Sequence, residues 1–191
     1  MTAPHPPALA SALTNVLNPF FLFTALFALV AFTESSIPQA FLYLAVELLA
    51  SAAVALYVLF MRRRRRVEGF WISARAERLV PALFLLAAFI GLLVALWLLD
   101  APGALLRTTL SMGLAAAAVA AITLAWKASA HTAVAGHAAA AGPLVLGPVG
   151  IAFVLVLPLV LYARIGPHAH TLSQALVGAG VGAVFALSFL V

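Results

Sequence analysis

Long apolar runs, each closed by a short polar or proline-containing break, divide the chain from residue 17 onward. The first occupies residues 17–33 and is closed by Glu34, Ser35, Ser36 and Pro38; its Asn18-Pro19 pair fits a helix start, where a missing N–H costs nothing. The second, residues 39–61, carries Glu47 and runs into five consecutive arginines, Arg62 to Arg66. A polar stretch, 62–78, separates it from a third run at 79–99, which ends at Asp100, Pro102 and Gly103. The fourth, 105–126, ends at Lys127. A membrane-crossing helix needs about 20 predominantly apolar residues, and these runs meet that length.

The remaining third is less regular. Residues 128–142 are Ala-rich and carry Ser129, His131 and His137, a composition that suits the interior of a bundle, where small side chains let helices approach closely. Residues 143–162 form another apolar run with Gly147, Pro148 and Pro158 along it; 164–170 are a short polar break. The last run, 171–191, contains Gly178, Gly180 and Gly182, which serve either internal packing or a dimer. The pattern predicts an all-α, polytopic transmembrane helical bundle of six to seven spans. It is organised as a polar N-terminal segment (1–16), two helices (17–61), a basic loop (62–78) and a helical core (79–191).

Composition excludes most other readings. Hydrophobic residues make up 66% of the chain and charged residues 8%, too little charge to keep a soluble domain of this size in water. Barrels alternate polar and apolar positions, whereas these runs are continuous and rich in Ala and Leu, so helices satisfy the backbone. With no cysteine there is no disulfide or thiolate chemistry. The net charge of +5 owes most to residues 62–66, which set topology or touch lipid rather than nucleic acid. The positive-inside rule puts that loop in the cytoplasm and the C-terminus outside. If 128–142 crosses, Arg75 and Arg78, the stretch from Lys127 to His131, and the stretch from Arg164 to His170 all emerge on the side of the arginines.

An ionisable residue within a membrane protein is a functional candidate by default. Three clusters stand out. Arg75, Glu77 and Arg78 precede the third run. Lys127, Ser129 and His131 open the Ala-rich segment, where free backbone N–H groups favour an anion. In the third cluster Arg164, His168 and His170 precede Gln174. His170 and Gln174, four apart on the last helix, have side chains that can meet on one face, so the amide can hold one imidazole nitrogen. His168, beside Pro167, reads as a solvated loop residue, and His137, on another face from His131, as a hydrogen-bonded helix histidine.

Taken together these clusters resemble the type 2 phosphatidic acid phosphatase (PAP2) superfamily, whose motifs are K-x6-R-P, P-S-G-H and S-R-x5-H-x3-D. The third is matched from Arg164 through His170 to Gln174, with Ala163 for its Ser and Gln174 for its Asp. The second is met by Ser129 and His131, with Ala128 for Pro, and the first by Arg78, with Trp71 for Lys and Leu79 for Pro. Lys127 or Arg75 can restore the missing cation. The resemblance spans roughly residues 71–182. It implies a metal-independent enzyme without a cofactor: His170 attacks phosphorus, His131 protonates the leaving oxygen, and Arg78, Arg164 and Ser129 clamp the phosphoryl oxygens. The substrate implied is a lipid phosphate or polyprenyl diphosphate met within the bilayer, with no nucleic-acid partner and a homo-oligomer open. Gln174 can orient an imidazole but brings no charge, so Glu77 or Glu47 is a candidate substitute. Two rivals remain: a non-catalytic binder of lipid head groups or quinones, and a small transporter using Glu47, Arg164 and the histidines.

Overall fold

The computed structural model describes residues 8–67, 69, 77, 79–166 and 169–191. Within them the chain forms eight α-helices: α1 (Ala8–Val16), α2 (Pro19–Glu34), α3 (Ile37–Arg63), α4 (Leu79–Leu98), α5 (Gly103–Ala125), α6 (Ala130–Leu146), α7 (Ile151–Ile165) and α8 (Leu172–Leu190). Among the described residues, five helical stretches are long and apolar enough to cross a membrane, and six if the bent pair α1 and α2 forms one broken span. This is the all-α polytopic bundle expected from the apolar runs.

Local chemistry sets the helix ends. Asn18 accepts a hydrogen bond from Phe21 N–H at 2.9 Å and Pro19 opens α2, as the Asn-Pro pair predicts. Ser36 and Gln39 form a capping box at the start of α3, with Pro38 in its first turn. The N-terminal segment differs from expectation. Residues 8–16, read as part of a polar stretch because prolines and a histidine crowd its beginning, form α1, which leans on α7 through Thr14 Oγ1 donating to Ala163 O at 3.3 Å.

The second difference concerns the break after α6. The sequence pattern starts a new run at Pro143, but Pro143 lies inside α6 and the helix continues to Leu146. The chain then turns through a short 3-10 segment, Gly147–Gly150. Gly147 has φ +58°, a backbone conformation that side-chain-bearing residues rarely adopt. The following helix folds back along α6: Gly142 and Gly150 lie against each other near the turn, and Ala135 packs with Val160 further along. The arms are about 25 and 22 Å long at 1.5 Å per residue. Whether counted as one folded-back stretch or as two passes, the hairpin returns the chain to the face it left.

α6 is the centre of the bundle, packed against α8, α7, α2 and α5, whereas α3 and α4 pair with each other on the periphery. Its contact with α8 is the tightest. A methyl at Gly178 would fall on Ser129 O and Thr132 Oγ1, and one at Gly182 on Ala133 O, so only hydrogen fits on that face of α8. Gly180 points outward into open space. Two of the three glycines are therefore spent on internal packing. The main core gathers Phe23, Phe27, Tyr43, Leu96, Leu105 and Met112 from α2 to α5, beside the Ala face of α6.

Candidate functional site

The hairpin brings the second and third polar clusters to one end of the bundle. His131 lies in the first turn of α6, Arg164 in the last turn of α7, and His170 just before Thr171, the N-cap of α8. Three hydrogen bonds lace these segments together. Lys127 Nζ donates to Ala169 O at 2.9 Å, Ser129 N–H to Gln174 O at 3.3 Å, and His170 N–H to Arg164 O at 3.1 Å. The arrangement follows from α6 leaving this face and α7 returning to it.

His131, Arg164 and His170 line a single cavity of about 470 Å³. Both imidazoles are nearly enclosed by protein, 6% and 5% exposed, so they meet the cavity rather than bulk solvent. The remaining wall is mostly apolar and comes from α2, α3, α4, α5 and α6. On α4 it extends from Leu79 to Leu92 and on α5 from Leu124 back to Met112, which is about 20 and 18 Å of helix. The cavity is thus elongated along the bundle. Its mouth carries one guanidinium, two imidazoles and the N-terminal end of α6, whose partial positive charge favours an anion. Its body suits a hydrocarbon chain.

One polar group lies deeper. Glu47, fully buried, also lines the cavity, about 16 Å along α3 from Val58 at the mouth. Thr24 Oγ1 donates to its two oxygens at 2.9 and 3.1 Å, and Ser51 Oγ to one of them at 2.7 Å. Glu47 therefore belongs to the same space as the histidines but sits at its far end. Ser51, one turn after Glu47, and Thr123 also reach the wall. The four-residue spacing of Glu47 and Ser51 is a signal for the first; nothing in the sequence marks Thr123 or the interhelical partner Thr24.

The other predicted residues are placed differently. Ser129, expected to clamp phosphate, is fully buried, and its hydroxyl accepts from Thr132 N–H at 3.4 Å as the N-cap of α6; it is not on the cavity wall. Lys127, expected to add a cation, directs its ammonium at Ala169 O and likewise lies off the wall. Gln174 was expected to hold His170 across one helical turn. The helix starts only at Leu172, so His170 precedes it, and the i, i+4 relation does not apply. The Gln174 side chain instead accepts from Thr171 N–H at 3.2 Å in a capping box. Arg75, Arg78, Trp71 and His168 lie outside the described residues.

His137 is the hydrogen-bonded helix histidine expected. Fully buried between α5 and α6, it shares a 2.8 Å hydrogen bond between Nε2 and Ser111 Oγ. No group of three or more His, Cys, Asp or Glu side chains suited to a metal ion occurs among the described residues. Comparison of the chain with protein-family models, with curated proteins and with solved structures gave no match.

Proposed function

We propose that this membrane protein is a phosphatase of lipid phosphates or polyprenyl diphosphates, similar in chemistry to the type 2 phosphatidic acid phosphatases. The observation that carries the reading is the shared cavity mouth: His131, Arg164 and His170 line one space whose body is long and apolar. A phosphate ester of a long hydrocarbon has that same division of polarity. Phosphoryl transfer asks mainly for positioning and for stabilisation of charge on the equatorial oxygens, and a guanidinium fork supplies both.

In the proposed reaction His170 attacks phosphorus through a ring nitrogen. The bond from phosphorus to the lipid oxygen breaks, and His131 gives that oxygen its proton, releasing the lipid alcohol (or the lipid monophosphate, from a diphosphate). Water then attacks the phosphohistidine. His131, now neutral, takes the proton from water, the phosphorus–nitrogen bond breaks, and inorganic phosphate leaves with His170 restored. Two steps through a covalent intermediate replace one difficult displacement. The arginine-rich loop favours an orientation with the mouth toward the cytoplasm.

A second reading, a non-catalytic binder of phosphorylated head groups, draws on Gln174. That side chain is neutral and engaged in capping α8, where the family's acid would steady the attacking imidazole. Phosphate release from phosphatidic acid and from a polyprenyl diphosphate, by purified protein in lipid nanodiscs, separates the two. Hydrolysis that is lost in His170→Ala and in His131→Ala supports the enzyme. Tight lipid binding with no release at any substrate leaves only the binder.

A further inference from the structure

The cavity has a thin side. Near the mouth, α3 and α4 are closed by Tyr57 and Phe84, whose rings stack with centroids 4.1 Å apart. Deeper in the bundle the same two helices leave an apolar groove of about 370 Å³. Three of its residues, Ala50, Ala88 and Leu92, also line the cavity, so groove and cavity meet across a wall that includes two single methyl groups. The outer edges of the groove are Ala53, Ala87 and Gly91, all exposed on the periphery of the bundle. A methyl built on Gly91 would meet nothing within 4 Å. Ala50 lies about 12 Å along α3 from Val58 at the mouth.

We propose that the seam between α3 and α4 is a lateral passage holding one hydrocarbon chain of the lipid whose phosphate sits at His131, Arg164 and His170; this rests on the functional reading above. Water is a poor occupant, because the groove offers no polar side chain to hold it. At that depth of a spanning pair the neighbour is hydrocarbon. Because Ala50, Ala88 and Leu92 face both spaces, a small shift of this thin wall joins them, which favours a chain of the bound lipid over an unrelated one. A chain too short to reach Ala50 gains nothing from the seam. Long chains then pass from the cavity back into the bilayer, so the floor at Glu47, Leu92 and Met112 does not limit their length.

The test uses the intact protein in nanodiscs. Gly91→Trp, with Ala87→Phe as a second plug, is assayed for phosphate release from dipalmitoyl and from dihexanoyl phosphatidic acid. A plug that excludes the chain sterically, at an overpacking cost of about 1.4 kcal/mol, predicts about a tenfold fall for the long-chain lipid and no change for the short one. An equal fall for both, or no fall for either, overturns the passage. In parallel, phosphatidic acid with a diazirine midway along one chain is photolysed on unmutated protein and the adducts are mapped. Adducts at residues 50–53 and 87–91 support the proposal, and adducts confined to other helices overturn it. Since the chain has no cysteine, Gly91→Cys gives a clean probe of a second copy. Efficient disulfide cross-linking between two Gly91→Cys copies under a mild oxidant would assign the groove to a dimer instead. Should neither lipid be hydrolysed by the unmutated protein, the phosphatase reading fails, while the photolabelling still decides the passage.

Discussion

Replacing Gly178 by alanine tests how the two histidines are held. The added methyl would overlap Ser129 O and Thr132 Oγ1. Neither can swing aside: the first is backbone, and the second is tied to that same carbonyl by a 3.1 Å hydrogen bond. Reaching an ordinary contact distance requires α6 and α8 to part by about an ångström. Overpacking of this kind costs about 1–3 kcal/mol. Gly180→Ala, two residues away and facing open space, is the matched control. It should leave stability unchanged or raise it, since alanine is favoured over glycine in a helix by about 0.5–1 kcal/mol. The pair is compared by reversible unfolding in mixed detergent micelles. The same displacement would separate His131, in the first turn of α6, from His170, just before α8. Misplacing a reacting group by about 1 Å can cost about 100-fold in rate, so lipid phosphate release should fall more than stability does. Equal unfolding free energies and equal activities for the two variants would refute the close α6–α8 contact as the device that positions the site.

Ser111→Ala removes the partner of a fully buried imidazole and should cost about 1–3 kcal/mol, read as a lowered Tm in detergent; an unchanged Tm would mean that His137 finds another partner. Ser129→Ala should cost about 1 kcal/mol as a lost helix cap. If stability holds while lipid binding disappears, the hydroxyl serves phosphate after all. Neutralising the five arginines 62–66 to glutamine should leave the fold intact but mix the orientations of the chain in the membrane, detected by reporters fused at the C-terminus. A uniform orientation after that change would show that these arginines do not set topology.

Much of the fold was legible because lipid imposes one solution on the backbone. Apolar runs near the required length became α2, α3, α4, α5 and α8 within a few residues of their expected ends, with Asn18 marking one start. The boundary at Pro143 was misplaced because a proline within a helix is tolerated where tertiary packing holds it, while the real break needed the positive φ of Gly147. Of the candidate site, His131, Arg164 and His170 were legible as polar residues in so apolar a chain, and the structure places all three on one cavity wall. Gln174, Ser129 and Lys127 were harder. Each is a polar residue at or beside a helix end, and the same residue types serve phosphate binding, capping and loop bracing; only the start of α8 after Thr171 and the hydrogen bonds at Ser129 and Lys127 show what each side chain touches. The cavity itself, assembled from seven segments far apart in sequence, has no local signature.

In the proposed reaction His170 and His131 act on one phosphoryl group at the mouth of this cavity. This is tested most directly by quenching the purified protein in alkali during turnover of phosphorus-labelled phosphatidic acid and mapping the labelled peptide. Label is expected on His170, absent from His170→Ala, with labelling slowed in His131→Ala because the leaving oxygen lacks its proton donor. Release of phosphate at an undiminished rate by His170→Ala, or label carried by another residue, would contradict it.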